Sequence, residues 1–213
     1  MPQKANREYR SMVLRAIADD EEERRAVSGY ASTFDELYTL YEDDDIIYLE
    51  KVDRSAFDAT DMDDVIMQYN HEGRVFARTS NGTLQVNADD RGLFIEADLG
   101  GTEIGRELYD EIRGGYTNKM SFGFLVSDDV EDRTELDDGR LEIIRTITGI
   151  SKVFDVSAVS IPANNGTSIG VATRSKIDGV IEEVRAERLE AEKIELERLR
   201  NQVKAKAMLG GNK

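Results

Sequence analysis

Residues 74–99 constrain the fold more tightly than any other stretch of this chain. Arg74-Val75-Phe76-Ala77-Arg78-Thr79, Thr83-Leu84-Gln85-Val86-Asn87-Ala88 and Leu93-Phe94-Ile95-Glu96-Ala97-Asp98-Leu99 are three short runs rich in β-branched and aromatic residues. Asn81-Gly82 separates the first two, and this dipeptide readily adopts the positive φ of a two-residue hairpin. Asp89-Asp90-Arg91-Gly92 separates the second from the third. The spacing predicts an antiparallel meander in which 83–88 folds back on 74–79.

Other runs extend the β pattern. Strands are predicted over 26–32, 46–52, 119–126, 141–147 and 153–161. The stretch 61–64 opens either a short helix or a strand that runs to His71. One internal helix is predicted. Thr102 caps it, Ile104, Leu108 and Ile112 recur every four residues along it, and Gly114-Gly115 stops it. Residues 128–138 hold seven acidic side chains against one Arg, which predicts a mobile excursion by self-repulsion. Residues 1–24 show no sustained period and are expected to form a loosely ordered charged arm. Pro162-Ala163-Asn164-Asn165-Gly166 is expected to be a loop. The class predicted is mainly β with helices (α+β), with an antiparallel, barrel-like core. Three parts are expected: an arm over 1–24, a body over 25–173 and a charged helical tail over 174–213.

The tail opens with Ser175-Lys176-Ile177-Asp178, a capping box with Asp in place of Glu. Leu189, Leu196 and Val203 lie seven apart, and Leu199 fills a second seam position. Glu192 and Lys206 occupy the remaining seam slots. The run is either a solvated helix or one that binds a partner or associates with itself.

Charge limits the partners. The chain carries a net −16. The tail over 174–213 has ten Lys/Arg and eight Asp/Glu, so the remaining 173 residues carry −18. A body this acidic repels phosphate backbones and favours basic partners or basic substrate segments, so no nucleic-acid partner is expected. The chain contains no cysteine, which excludes disulfides, thiolate metal sites and a cysteine nucleophile. No apolar run approaches the roughly 18 residues of a membrane span. No signal-peptide pattern opens the chain, so a cytoplasmic-type protein is expected.

Two short stretches carry the chemistry. Tyr69-Asn70-His71-Glu72-Gly73 contains the only histidine, and Lys119-Met120-Ser121-Phe122-Gly123-Phe124 is a strand-like run. Histidine is the side chain suited to move a proton near neutral pH. A serine hydroxyl needs such a base before it attacks a carbonyl. Alternation sets Met120, Phe122 and Phe124 on one strand face, and Lys119, Ser121 and Gly123 on the other. Gly123 leaves room beside the hydroxyl. Lys119 shares that face and is a rival base, as in Ser-Lys enzymes. A third group has to orient the base. Asp155 is the lone carboxylate in the apolar stretch Phe154-Asp155-Val156-Ser157-Ala158, and a carboxylate there requires a partner. Glu142 and Glu72 are the alternatives. Asp43-Asp44-Asp45 and the acidic 128–138 stretch also admit a divalent-cation-binding module, though without fixed ligand spacing.

Taken together, these motifs resemble the prohead (capsid maturation) proteases of tailed phages, serine proteases with the fold of the herpesvirus assemblins. The resemblance covers roughly residues 25–173. It rests on Val27-Ser28-Gly29-Tyr30-Ala31, Asn70-His71-Glu72, Asn81-Gly82-Thr83-Leu84, Asp90-Arg91-Gly92-Leu93 and Ile112-Arg113-Gly114. Met120-Ser121-Phe122-Gly123-Phe124, Asp155-Val156-Ser157 and Pro162-Ala163-Asn164 complete it. It implies that His71 is the general base and Ser121 the nucleophile. The family commonly has Glu where this chain has Asp155, and Asp where it has Glu72. The resemblance further implies an acyl-enzyme endopeptidase that needs no metal or organic cofactor. It would cleave the scaffold or scaffold-like segment of the major capsid protein, and itself, inside an immature capsid in the host cytoplasm. The tail would dock with scaffold and later be removed. The competing class is an inactive capsid-assembly or scaffold protein with a protease-like body.

Overall fold

A computed structural model describes residues 7–17, 25–160 and 171–210. The strands are β1 (Glu8–Ala16), β2 (Ala26–Thr33), β3 (Tyr38–Glu42), β4 (Ile46–Val52), β5 (Ile66–Tyr69), β6 (Glu72–Arg78), β7 (Leu84–Ala88), β8 (Gly92–Asp98), β9 (Lys119–Glu135) and β10 (Leu141–Val159). The helices are α1 (Glu103–Arg113) and α2 (Val171–Gly210). The protein is thus mainly β with two helices, of the α+β class. It forms two compact units, Met1–Arg174 and Ser175–Lys213.

In the first unit one mixed sheet runs β3-β4-β10-β9-β1-β2-β8-β7. It is open where a barrel-like closure was expected, since its ends β3 and β7 do not pair among the described residues. The sheet branches at β10. One of its edges pairs with β9 along nearly the whole strand. The other is shared by two parallel neighbours in tandem, β4 along 141–147 and β5 along 155–158. The sheet therefore forks at this strand, and β5 with its partner β6 forms a side branch.

The pairing of β7 also departs from the expected meander. It is antiparallel to β8 as predicted, and β8 continues onto β2. However, β6 pairs with β5 rather than with β7. The Asn81-Gly82 step is a corner, not a hairpin: a 3-10 turn over Thr79–Asn81 ends at Gly82, whose φ of 78° suits glycine.

Part of the expected arm is a central strand. β1 lies between β9 and β2. Its sequence conceals this because two residues of its buried face, Glu8 and Arg10, are charged. They are satisfied in an ion network. Arg10 donates to both Glu50 carboxylate oxygens at 2.6 and 2.5 Å, and Arg145 donates to Glu8 at 2.7 and 2.9 Å and to Glu50 at 2.8 Å. Thr173 donates to Glu8 at 3.0 Å. The acidic 128–138 stretch is likewise ordered in place of the expected excursion. Most of it belongs to β9, and two of its acids are engaged across the strands, with Arg145 donating to Asp129 at 2.5 Å and Tyr48 to Glu131 at 2.7 Å.

α1 follows the prediction closely. Thr102 accepts from the Gly105 N–H, Leu108 and Ile112 are buried, and Gly114 ends the helix. α2 begins at Val171, ahead of the expected Ser175 cap. The predicted loop at 162–166 lies outside the described residues. The core collects Phe34, Phe57, Met120, Phe122, Phe124, Val156 and their neighbours, with Phe122 and Phe124 stacked at 4.4 Å.

Candidate active site

The site begins with a turn. β5 and β6 are joined by Asn70-His71, with Tyr69 opposite Glu72. Both turn residues have positive φ, 50° and 59°, the signature of a type I′ hairpin. Asparagine and histidine are both among the residues enriched in that region, which still costs any non-glycine residue some strain. The turn is tied to β10: Asn70 donates its N–H to Ala158 O at 2.9 Å, and its side-chain oxygen accepts from Ser160 N at 3.0 Å. The strand expected to run on to His71 therefore ends at Tyr69, and the imidazole projects from a braced corner.

The floor beneath it is three strands in register. Ser121 of β9 stands level with Ser11 of β1 and Ser157 of β10, and Gly123 stands level with Tyr9 and Asp155. Directly opposed residues share a sheet face, so Tyr9, Ser11, Ser121, Gly123, Asp155 and Ser157 line one face. Met120, Phe122 and Phe124 line the other, in the core. The β10 register shifts between Val153 and Asp155, and such a bulge re-aims the following side chain.

Asp155 is 2% exposed and fully engaged. Its Oδ1 accepts from His71 Nδ1 at 2.5 Å and from the Ser157 hydroxyl at 2.9 Å. Its Oδ2 lies 3.8 Å from the Arg7 guanidinium, which stacks on the Phe154 ring. The Tyr9 ring meets His71 edge-on at 4.3 Å. Burial and the Asp155 charge push the Tyr9 phenol up, so it is neutral at working pH. Gly123 leaves no room for a side chain unless a neighbour shifts. A Cβ would lie 2.6 Å from Asp155 Oδ2 and 2.9 Å from the Tyr9 ring.

Ser121 is 1% exposed, and its hydroxyl has no hydrogen-bond partner. It shares the His71–Asp155 face but makes no bond to the imidazole in this state. Lys119, the rival base, is the first residue of β9, level with Val13 and Val159. It is not bonded to Ser121 either. Glu142 lies in the far arm of β10, opposite Thr134 and Ile47, well away from His71. Glu72 starts β6 and is exposed. Of the three carboxylates considered, only Asp155 bonds to His71. The sequence reading missed Arg7, Tyr9 and Ser157. Arg7 and Tyr9 fell in the supposed arm, and Ser157 carried no signal beyond lying two residues from Asp155.

A groove of about 500 Å³ opens beside the turn, lined by Tyr69, Glu72, Arg74, Phe76, Ile104 and the α1 glutamates Glu107 and Glu111, among others. The Asp43 carboxylate closes its own turn, accepting from the Asp45 and Ile46 N–H groups and from the Tyr41 hydroxyl. Among the described residues no helix is long and apolar enough to cross a membrane.

A family model described as caudovirus prohead serine protease matches residues 11–180, which spans every residue of this constellation except Arg7 and Tyr9. No curated protein and no solved structure matches the chain.

Proposed function

Because the chain belongs to the caudovirus prohead serine protease family, we propose that it is a serine endopeptidase in which His71, Asp155 and Ser121 act as base, orienting carboxylate and nucleophile. The observation that carries this reading is the 2.5 Å bond from His71 Nδ1 to a buried Asp155, formed on the sheet face that also bears Ser121. With Nδ1–H donated to the carboxylate, Nε2 keeps its lone pair for the serine proton. Nε2 accepts that proton as Ser121 Oγ bonds to the peptide carbonyl carbon. The imidazolium returns it to the leaving amine; a water deprotonated by the same nitrogen then adds to the acyl carbon, and that proton passes to Ser121 Oγ as the C–Oγ bond breaks. Asp155 stays ionised throughout and stabilises the imidazolium. Arg7 steadies its second oxygen, and the Tyr9 ring packs beside both Gly123 and His71.

The substrate we propose is the scaffold or scaffold-like segment of the major capsid protein, together with the protease itself, inside the immature capsid. The glutamates of the groove beside His71 and the net −18 of the body favour a basic segment. Kinship with the herpesvirus assemblin fold is part of the same proposal. A second reading, an inactive capsid-assembly protein, draws on one observation: the Ser121 hydroxyl is buried and unbonded.

Co-expression with the capsid protein separates the two. The protease reading expects trimming of capsid protein, and loss of that trimming in Ser121→Ala by on the order of a million-fold. Lys119→Ala retains most activity. Absence of trimming by the wild-type chain, or undiminished trimming by Ser121→Ala, overturns the proposal.

A further inference from the structure

The second unit bears a feature that the catalytic reading does not use. Leu189, Glu192, Leu196, Leu199, Val203 and Lys206 recur at alternating spacings of three and four along α2, so they form one seam. The apolar members are open to solvent: Leu189 is 54% exposed, Leu196 51%, Leu199 49% and Val203 66%. Further back on the same helix, Ile177, Val180, Ile181 and Val184 are buried. A helix that exposes a row of large aliphatic side chains presents a surface for another helix.

Charge identifies that other helix and its direction. Residues 187–197 hold five Glu against one Arg and one Lys, a net of −3. Residues 198–206 hold two Arg and two Lys and no acid, a net of +4. We infer that α2 pairs with α2 of a second copy of this chain, in antiparallel orientation. A parallel pair would set −3 on −3 and +4 on +4, and would stack Glu192 on Glu192 and Lys206 on Lys206 inside the seam. An antiparallel pair lays each acidic half along a basic half.

The seam gives the register. With the midpoint between Glu197 and Arg198, Leu196 faces Leu199 of the second copy, Val203 faces its Glu192, and Leu189 faces its Lys206. Glu192 and Lys206 of opposite copies then occupy adjacent layers, about one turn apart, within reach of an ion pair. The two residues that interrupt the seam thereby become its lock. Arg200 and Lys204 border the exposed Leu196, Leu199 and Val203 and supply the basic rim for the acidic half of the second helix. One like-charge pair remains, Lys193 with Arg200 of the second copy. Lys193 already has Glu190 at 3.5 Å within its own helix.

The test uses the full chain in a Ser121→Ala background, its intact length checked by mass spectrometry. Light scattering at tens of micromolar should give twice the 23.9 kDa chain mass. Leu196→Asp/Leu199→Asp should return it to one chain mass. The absence of native cysteine makes single-cysteine cross-linking unambiguous. A mixture of Leu189→Cys and Lys206→Cys chains should form mixed disulfide dimers on oxidation. Leu189→Cys alone should cross-link at least tenfold less, because the two copies of residue 189 would lie about 25 Å apart, far beyond disulfide reach. Glu192→Lys should weaken pairing about tenfold or more, and Glu192→Lys/Lys206→Glu should restore it. Any of four results overturns the inference: a single chain mass at 100 µM or so; a dimer that survives the double Asp variant; Leu189→Cys cross-linking alone as well as in the mixture; or a dimer in which the mixture does not cross-link.

Discussion

His71 and Asp155, 84 positions apart in the chain, are joined by a 2.5 Å bond from the imidazole Nδ1 to the carboxylate Oδ1. The bond links the corner of a hairpin to a strand that pairs with that hairpin, and Asn70 fastens the corner to the same strand. Asp155→Asn keeps the size of the side chain but removes the charge, and its amide can present the wrong group to Nδ1. We expect a fall in turnover of about 10⁴ with the fold retained. Single-turnover cleavage and thermal unfolding measured on the same variant check this. Near-normal cleavage would remove Asp155 from the mechanism.

Arg7 approaches the other oxygen of Asp155 at 3.8 Å and stacks on Phe154. Its partners Asp155, Phe154 and Tyr9 suit it to a positioning role. Arg7→Ala should lower kcat by about 10-fold or more while leaving KM within about 2-fold, since it disturbs the base rather than substrate binding. Arg7→Lys should recover part of the loss through its charge. A rise in KM alone would make Arg7 a substrate contact instead.

Gly123→Ala tests the crowding of the site. The added methyl would lie 2.6 Å from Asp155 Oδ2 and 2.9 Å from the Tyr9 ring, distances that force one of them aside. We expect a stability loss of about 1–3 kcal/mol from overpacking and a larger proportional loss of cleavage. Denaturant unfolding with activity measured at matched folded fraction checks it. Unchanged activity would show that Asp155 can move without consequence.

The buried network of Glu8, Arg10, Glu50 and Arg145 predicts acid sensitivity. Burial pushes Glu8 up, but the Arg145 hydrogen bonds and the charges of Arg10 and Arg145 outweigh it and hold the carboxyl below its usual range. A carboxylate whose folded value is lowered contributes stability that is present above its unfolded value. That stability is lost as pH falls through the folded value. Melting temperature should therefore be flat above about pH 5 and fall below about pH 4.3, the ordinary Glu range. Glu8→Gln should flatten that decline. Glu50→Gln leaves Arg10 and Arg145 short of a buried counter-charge and should cost about 3–5 kcal/mol at neutral pH. A Glu50→Gln protein as stable as the wild type would show the network to be dispensable.

The chain by itself determined the β-rich class, helix α1 and three site candidates. These are local matters. The alternation of Met120, Phe122 and Phe124 about Ser121 fixes which residues share a strand face whatever that strand pairs with. Thr102 and Gly114 mark the ends of α1 within a dozen residues. The one histidine and the lone carboxylate of an apolar strand stand out by residue chemistry alone. Tertiary structure decided what depends on distant partners. Glu8 and Arg10 look like solvated charges until Glu50 and Arg145, from β4 and β10, neutralise them, so β1 was hidden, and with it Arg7 and Tyr9 at the site. The Asn81-Gly82 step takes the positive φ its sequence invites, yet it makes a corner, because β6 finds its hydrogen bonds on β5 and β7 finds its own on β8. That His71 meets Asp155, and neither Glu142 nor Glu72, depends on the parallel pairing of β5 with β10. Strand register depends on matching the buried faces of both partners, and where the partners are far apart in sequence no single short stretch encodes it.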